Sequence, residues 1–385
     1  MTAPTAPEPD EFAHLGERLA SLPGLDRVRD AAGELPLYLV GGAVRDLLLG
    51  RARADLDLVV EGEAAALASA LGGAAVSHDR FATATVSLDG VELDLASARA
   101  ETYPRPGALP EVRPSTLADD LARRDFTINA MAIPLHRDAE LIDPHAGRPD
   151  LERGLLRVLH ERSFADDPTR AVRAARYAAR FGFTVEPETE QLLCEADLST
   201  VSEDRVEAEL IKLSAEPRAR AGFELLAGWG QVSLAGGAGP LIDAVAALLA
   251  RPPWEGTVDR ALAVHAAATN RAPGAAGRLR DLLASARELA AASPQRPSEA
   301  VDLARVHSEI ELVLARALGA EWLDRYLSEW SAVGLEIGGE DLLSAGIPEG
   351  PALGRGLDEA LRRKLDGEIS GREEELRVAL DAARA

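Results

Sequence analysis

At 385 residues the chain is long enough for two or three domains with a substantial core. A single cysteine, Cys194, excludes a disulfide framework and fits a reducing cytoplasm, and no apolar run reaches membrane-spanning length. The formal charge of −22, with only Lys212 and Lys364 as lysines among 42 basic residues, opposes long-range attraction to polyanions, so any such contact has to come from a local arginine-rich surface.

Residues 1–11 are Pro-rich and acidic, unlike a secretory signal; 1–8 is expected to be a disordered tail and 11–30 a helix. Residues 37–60 then read as strand, glycine turn, helix and strand. Leu37-Tyr38-Leu39-Val40 is a strand-type apolar run, and Gly41-Gly42 breaks it where the backbone must turn tightly or approach a ligand. Residues 43–49 have helical spacing, with Gly50 as the C-cap. The chain returns as Asp55-Leu56-Asp57-Leu58-Val59-Val60, whose alternation puts Asp55 and Asp57 on one face and Leu56 and Leu58 in the core. Two carboxylates on one face repel unless a cation lies between them. Mg²⁺ is the economical answer, because it takes oxygen ligands and is completed by substrate phosphates. Backbone N–H groups at the helix start, with Arg45 one turn in, would make a phosphate cradle beside the acids. The plain alternative is an edge strand with two solvated acids. A dinucleotide-binding turn is disfavoured, because residues 41–46 lack the G-x-G-x-x-G spacing.

Residues 63–71 predict an Ala-rich helix stopped by Gly72-Gly73, and strands at 83–88 and 91–95 are joined across Asp89-Gly90, a type I′ hairpin signal. Glu92 and Asp94 share a face of the second strand. If it pairs near the Asp-x-Asp strand, one of them supplies a third metal-facing carboxylate; otherwise they are an outward polar face. Residues 101–116 carry four prolines and a glycine, which predicts no helix or central strand and marks a functional loop or linker. After a helix at 117–124, Asp125 and Asn129 lie four apart, so in a helical segment they face one cleft, flanked by Thr127 and by Arg123-Arg124. Such groups suit a ribose and a triphosphate. The alternative is an N-cap and its partner, which suits Thr127 better.

From Leu151 the period is helical almost to the end, and 148–180 is locally positive, with eight Arg against five Asp plus Glu. Residues 163–168 read as a helix start with proline in the first turn, and Asp167, Arg170 and Arg173 recur by three on one stripe. The default meaning is an intrahelical ion pair. A chemical alternative is base recognition: cytosine and adenine both present an amine beside an unprotonated ring nitrogen, which matches an Asp acceptor next to an Arg donor. Uracil and guanine would set acceptor against acceptor.

Taken together, 39–46, Asp55-Leu56-Asp57, 123–132, 167–173 and 205–209 resemble the class II tRNA nucleotidyltransferases and bacterial poly(A) polymerases of the polymerase-β superfamily, in order over about 170 residues. The resemblance implies an α+β fold, with a polymerase-β-like nucleotidyltransferase head containing a mixed sheet and an all-helical neck, body and tail. The implied limits are 1–35 for the N-terminal tail and helix, 36–147 for the catalytic head, 148–217 for a base-recognising neck, and 218–385 for a tRNA-binding body and tail. It further implies that Asp55 and Asp57 bind two catalytic Mg²⁺ ions with Asp94 as third carboxylate, and that Gly41, Gly42 and Arg45 hold the triphosphate. Arg124, Asp125 and Asn129 would order the sugar and phosphates. Asp167 and Arg170 would read the base, helped by Arg173, with Arg205 and Glu209 bracing that helix. Residues 101–116 would occupy the position of the family's flexible loop, linked to the switch from adding C to adding A.

The implied activity is addition of C, C and A to the 3′ end of tRNA from CTP and ATP, releasing pyrophosphate. CC-only or A-only addition and poly(A) synthesis share these motifs. A catalytically inactive RNA-binding protein is the reading from another class, and the three carboxylates argue against it. Residues 339–343, 346–354 and 366–368 look like the family's tail, where the glycine-rich turn either meets an RNA phosphate or simply joins two helices. A strongly basic tail, expected of a poly(A) polymerase, is missing, which favours tRNA.

Overall fold

The computed structural model describes residues 19, 22, 24–51, 55–72, 75–78, 83–88, 91–135, 140–271 and 282–385. It divides into two compact units, Met1–Val232 and Ser233–Ala385. The expected N-terminal tail, most of the helix at 11–30 and the Asp89-Gly90 turn lie outside the described residues.

In the first unit, α1 (Leu25–Ala32) precedes β1 (Leu37–Val40), α2 (Gly42–Leu48), β2 (Asp55–Val60), α3 (Ala64–Ala70), β3 (Ala75–His78), β4 (Thr83–Leu88) and β5 (Val91–Ser97). A separate ribbon, β6 (Arg99–Thr102) with β7 (Glu111–Pro114), leads through α4 (Leu117–Ala122) to β8 (Ala132–Pro134). The main sheet has the order β3-β4-β5-β2-β1-β8 and is mixed, β2 running parallel to β5 and the other pairs antiparallel.

Alternation along β2 and β5 buries Leu56, Leu58, Leu93 and Leu95, each at most 2 % exposed, as the pattern predicts. Each such side chain stabilises the head by about 1.5–3 kcal/mol. On the opposite face the register sets Asp57 against Asp94, and the same strands continue as Val59 and Ala96. Leu117 and Leu121 of α4 cover that continuation together with Val40, Val59 and Ala132. One end of this face is thus sealed by apolar packing, and the carboxylate end is left to a cavity.

Two segments take a form that the sequence pattern left open: 101–116 holds no helix and no central strand, as expected, but it is not irregular throughout. Residues 101–116 contribute to the β6–β7 ribbon, in register from Arg99↔Pro114 to Thr102↔Glu111. A two-stranded ribbon is all edge, so a terminal Pro114 costs it no interior bond. Residues 125–133 are not α-helical: Phe126 is extended, Thr127–Asn129 forms one 3₁₀ turn, and β8 follows.

The unit continues with α5 (Gly147–Arg153), α6 (Ser163–Asp166), α7 (Arg170–Phe181), α8 (Pro187–Glu195), α9 (Glu203–Ser214) and α10 (Ala219–Gly228). Gly222 lets α10 approach closely, since a Cβ there would collide with Leu213 and touch Ala179. α10 packs on α7, and the first unit extends to Val232.

The described elements of the second unit are all helical: α11 (Ala238–Leu248), α12 (Arg260–Thr269), α13 (Leu282–Ala291), α14 (Pro297–Ala304), α15 (Glu309–Ala317), α16 (Trp322–Arg325), a π turn at Tyr326–Trp330, α17 (Gly339–Ser344), α18 (Pro351–Leu365) and α19 (Arg372–Arg384). The glycine-rich segment is a turn between α17 and α18, with Gly346 and Gly350 at φ +87° and +148°. Asp366 accepts the Ser298 N–H and hydroxyl at 3.0 and 2.9 Å, capping the start of α14. No described helix is long and apolar enough to cross a membrane.

Candidate active site

A cavity of about 1220 Å³ lies wholly within the first unit. Among the described residues nine arginines and seven carboxylates line it, so in a chain of net charge −22 its wall is locally positive. That is the arginine-rich surface an acidic protein needs to hold a polyanion.

Asp57 and Asp94, directly opposed across β2 and β5, line the cavity together. Asp55 stands two residues before Asp57 on β2, in register with Glu92. Paired carboxylate oxygens are the hard donors that Mg²⁺ takes, so this juxtaposition fits the expected ion. Among the described residues no set of three His, Cys, Asp or Glu side chains converges on one point, the Asp55 side chain being outside that description.

Gly41 has φ +64°, and its N–H is spent on the Met131 carbonyl at 3.2 Å. A Cβ at 41 would collide with Arg124 Nη1. Glycine here therefore makes room for a guanidinium, while Gly42, at the start of α2, lines the cavity. Arg124 and its neighbour Arg123 are both held by Asp120, which is fully buried: Oδ2 accepts Arg124 Nη2 at 2.8 Å and Oδ1 accepts Arg123 Nη2 at 2.5 Å. Burial alone would raise the Asp120 carboxyl, but the Arg124 and Arg123 charges outweigh it and hold it below its ordinary value. Arg45 is only 3 % exposed. It donates to Asn129 Oδ1 at 2.6 Å and to Asp46 at 2.9 Å, and its guanidinium carbon lies 4.6 Å from the Phe181 ring centroid and 5.2 Å from that of Tyr177. It ties the head to α7 more than it offers a free charge.

Asp125 and Asn129 do meet, across the 3₁₀ turn, with Asn129 Nδ2 donating to Asp125 Oδ1 at 2.9 Å. The same oxygen takes the Phe126 N–H at 2.9 Å, and Oδ2 takes Arg173 Nε and Nη2 at 2.8 and 2.6 Å. Burial would push the Asp125 carboxyl up, yet the Arg173 charge and these bonds hold it well below the usual carboxylate range. Thr127 is buried and donates to Asp150 at 2.8 Å, a structural role though not an N-cap.

Asp167 and Arg170 do not pair with each other, contrary to the default for their spacing. α7 starts only at Arg170, and Asp167 is extended, at φ −136° and ψ 94°. Asp167 Oδ1 accepts the Thr169 hydroxyl at 2.7 Å and Arg205 Nη2 at 3.1 Å, whereas Oδ2 takes no hydrogen bond from a described residue. Arg170 Nη1 donates to Ser163 Oγ at 2.8 Å and Nη2 to the Arg123 carbonyl at 2.8 Å. Both line the cavity, each fixed by third parties. Glu209 accepts Lys212 at 2.7 Å and lies 3.7 Å from Arg176 and 3.9 Å from Arg173, bracing α7 by charge.

Arg205 also reaches into the ribbon loop, where Nη1 donates to the Gly107 carbonyl at 3.2 Å. The Gly107 N–H donates to the Ala165 carbonyl at 3.1 Å, so the loop tip is docked beside Asp167. Gly107 and Asp120 are contacts of the site that lie outside the sequence motifs. For Asp120 a signal existed, an acid three and four residues before Arg123 and Arg124 on a predicted helix. For Gly107 there was none, since its partners are remote in sequence.

The model of the poly(A) polymerase head domain matches residues 37–157. A "CC-adding tRNA nucleotidyltransferase" of Deinococcus radiodurans is 39% identical over 375 residues, 93% of this chain and 92% of that one. An "A-adding tRNA nucleotidyltransferase" of Halalkalibacterium halodurans is 50% identical over 187 residues, a match spanning 45% of this chain and only 44% of the relative. Among solved structures, a CCA-adding enzyme in complex with ATP superimposes with TM-score 0.76 at 30% identity, covering 96% of this chain and 95% of that one. The Thermotoga maritima CCA-adding enzyme complexed with tRNA does so with TM-score 0.73 at 30% identity, covering 95% and 98%.

Proposed function

The chain belongs to the tRNA nucleotidyltransferase family, and on that premise we propose that it adds C, C and A to the 3′ end of tRNA from CTP and ATP, releasing pyrophosphate. The observation that carries this reading is the separation of Asp167 from Arg170: an acceptor and a donor, each immobilised by other groups, are presented to the cavity that also holds Asp57 and Asp94. Asp167 Oδ2 accepts the exocyclic amine of cytosine or adenine while the Arg170 guanidinium donates to the adjoining ring nitrogen; uracil and guanine meet the wrong polarity at both positions.

Arg124, held against Gly41 by Asp120, and Gly42 at the helix start face the triphosphate. Asp125 acts through Arg173, and Arg45 through Asn129, as positioning groups. Asp55, Asp57 and Asp94 would hold Mg²⁺. When bound, the metal lowers the pKa of the RNA 3′-hydroxyl and offsets charge on the leaving pyrophosphate. The arginines of the wall bind and orient the phosphates, and the lone cysteine accords with a cytoplasmic location.

A second reading, CC addition alone, is favoured by the name of the Deinococcus relative, which this chain matches over nearly its full length. Incubation with tRNAs ending before CCA, after the first C and after the second C, with CTP or ATP singly, tests both. Full CCA addition requires ATP to extend the CC-ended tRNA. Failure of that step with normal CTP incorporation supports division of labour, and failure of all three refutes the activity.

A further inference from the structure

Asp94 is the middle of a row of three side chains on the sheet face that walls the cavity, with Asp57 opposite it on β2 and Thr85 opposite it on β4. The Thr85 hydroxyl donates to Asp94 Oδ1 at 2.7 Å. Among the described residues it is the one side chain that hydrogen-bonds Asp94. Neighbouring carboxylates repel, and each turns its oxygens away from the other unless something fixes the carboxylate plane. A β-branched residue on a strand has few χ1 choices, so the direction of the Thr85 hydroxyl is set by the backbone of β4. Its bond engages Oδ1 on the β4 side, while Oδ2 takes no hydrogen bond from a described residue in the cavity that Asp94 lines with Asp57.

We infer that Thr85 is a positioning residue that presents Asp94 to a divalent cation held jointly with Asp57. This rests on the proposed metal role of those two carboxylates. Outer partners of ligating carboxylates typically change metal affinity by about 10–100-fold when removed. The test is direct Mn²⁺ binding, read as free ion by electron paramagnetic resonance, in the full chain without nucleotide or tRNA. Thr85→Val is expected to weaken Mn²⁺ binding by about 10-fold or more, with Thr85→Ser within about 2-fold of wild type and the thermal midpoints of both unchanged. Should Thr85→Val lower the midpoint, Thr85→Ala, which removes the hydroxyl without burying a methyl in its place, carries the same comparison. Wild-type Mn²⁺ affinity in Thr85→Val, with binding lost in Asp94→Ala, overturns the positioning role and leaves the carboxylate reading standing. Wild-type affinity in Asp94→Ala overturns both.

Discussion

Replacing Gly107 by alanine tests whether the docked loop tip controls base selection. Gly107 is buried at φ +68°, and a Cβ there would lie 2.5 Å from the Thr200 carbonyl oxygen and 2.6 Å from its hydroxyl oxygen. The left-handed conformation costs alanine about 1–2 kcal/mol. Backbone contacts at that distance cannot give way, so the tip must move, breaking the guanidinium bond from Arg205, worth about 1.5–3 kcal/mol. The strain and the backbone collision both penalise the docked tip, while undocking costs it the bonds to Arg205 and Ala165, so undocking is the expected response and, as a local opening, it changes the thermal midpoint little. Among the described residues Arg205 then keeps its bond to Asp167 alone, and the Asp167 carboxylate, still held by Thr169, loses the second anchor of its guanidinium partner. A well-set pair of base contacts discriminates by about 1–3 kcal/mol, so partial loss should raise UTP and GTP incorporation by about 10-fold relative to CTP. The assay is kcat/KM for each of the four nucleotides on tRNA lacking CCA, run beside amide exchange over residues 103–110. Fast exchange in that loop with wild-type discrimination would refute the coupling.

Other outcomes follow from the same geometry. Asp57→Ala should abolish nucleotide addition while tRNA retention in a filter assay stays within about 2-fold, since phosphate contacts by arginines carry most of the affinity; undiminished incorporation would retire the carboxylate assignment. The double change Asp167→Ala with Arg170→Ala should admit UTP and GTP, and preserved selectivity would move base recognition elsewhere. Asp125→Asn leaves the Arg173 guanidinium with only the more distant Glu209 as an ionic partner among the described residues, and should cost about 3 kcal/mol in denaturant unfolding, near the low end for a buried pair because Arg173 is partly exposed and keeps that second acid. Asp120 and Asp125 both have folded pKa values below their unfolded ones, so they contribute stability above about pH 4 that is lost as pH falls through the lowered values. Thermal midpoints between pH 6 and 3 should therefore fall more steeply for wild type than for Asp125→Asn, and parallel curves would contradict the ionic account.

Local pattern was sufficient wherever the deciding contacts are one turn or one strand long. The run Leu37–Val40, the break at Gly41-Gly42 and the alternation of Asp57 with Leu56 and Leu58 appear in the fold as the sequence suggests. The placement of Asp167 and Arg170 at the start of a helix was also suggested by the sequence, and both line the cavity. What residue spacing could not give was who pairs with whom. Spacing by three offered Asp167 and Arg170 to each other, but the chain stays extended through Asp167 and the helix begins afterwards, so Asp167 is held by Arg205, 38 residues on, and Arg173 by Asp125, 48 residues back. The same holds for Gly107, whose left-handed turn serves an arginine 98 residues away. Hydropathy and turn preferences act between near neighbours, and they specified the elements. The charges were distributed by the tertiary structure, because in the cavity wall Arg124, Arg173 and Arg205 bind the carboxylate that folding brings within about 3 Å, whatever its distance along the chain.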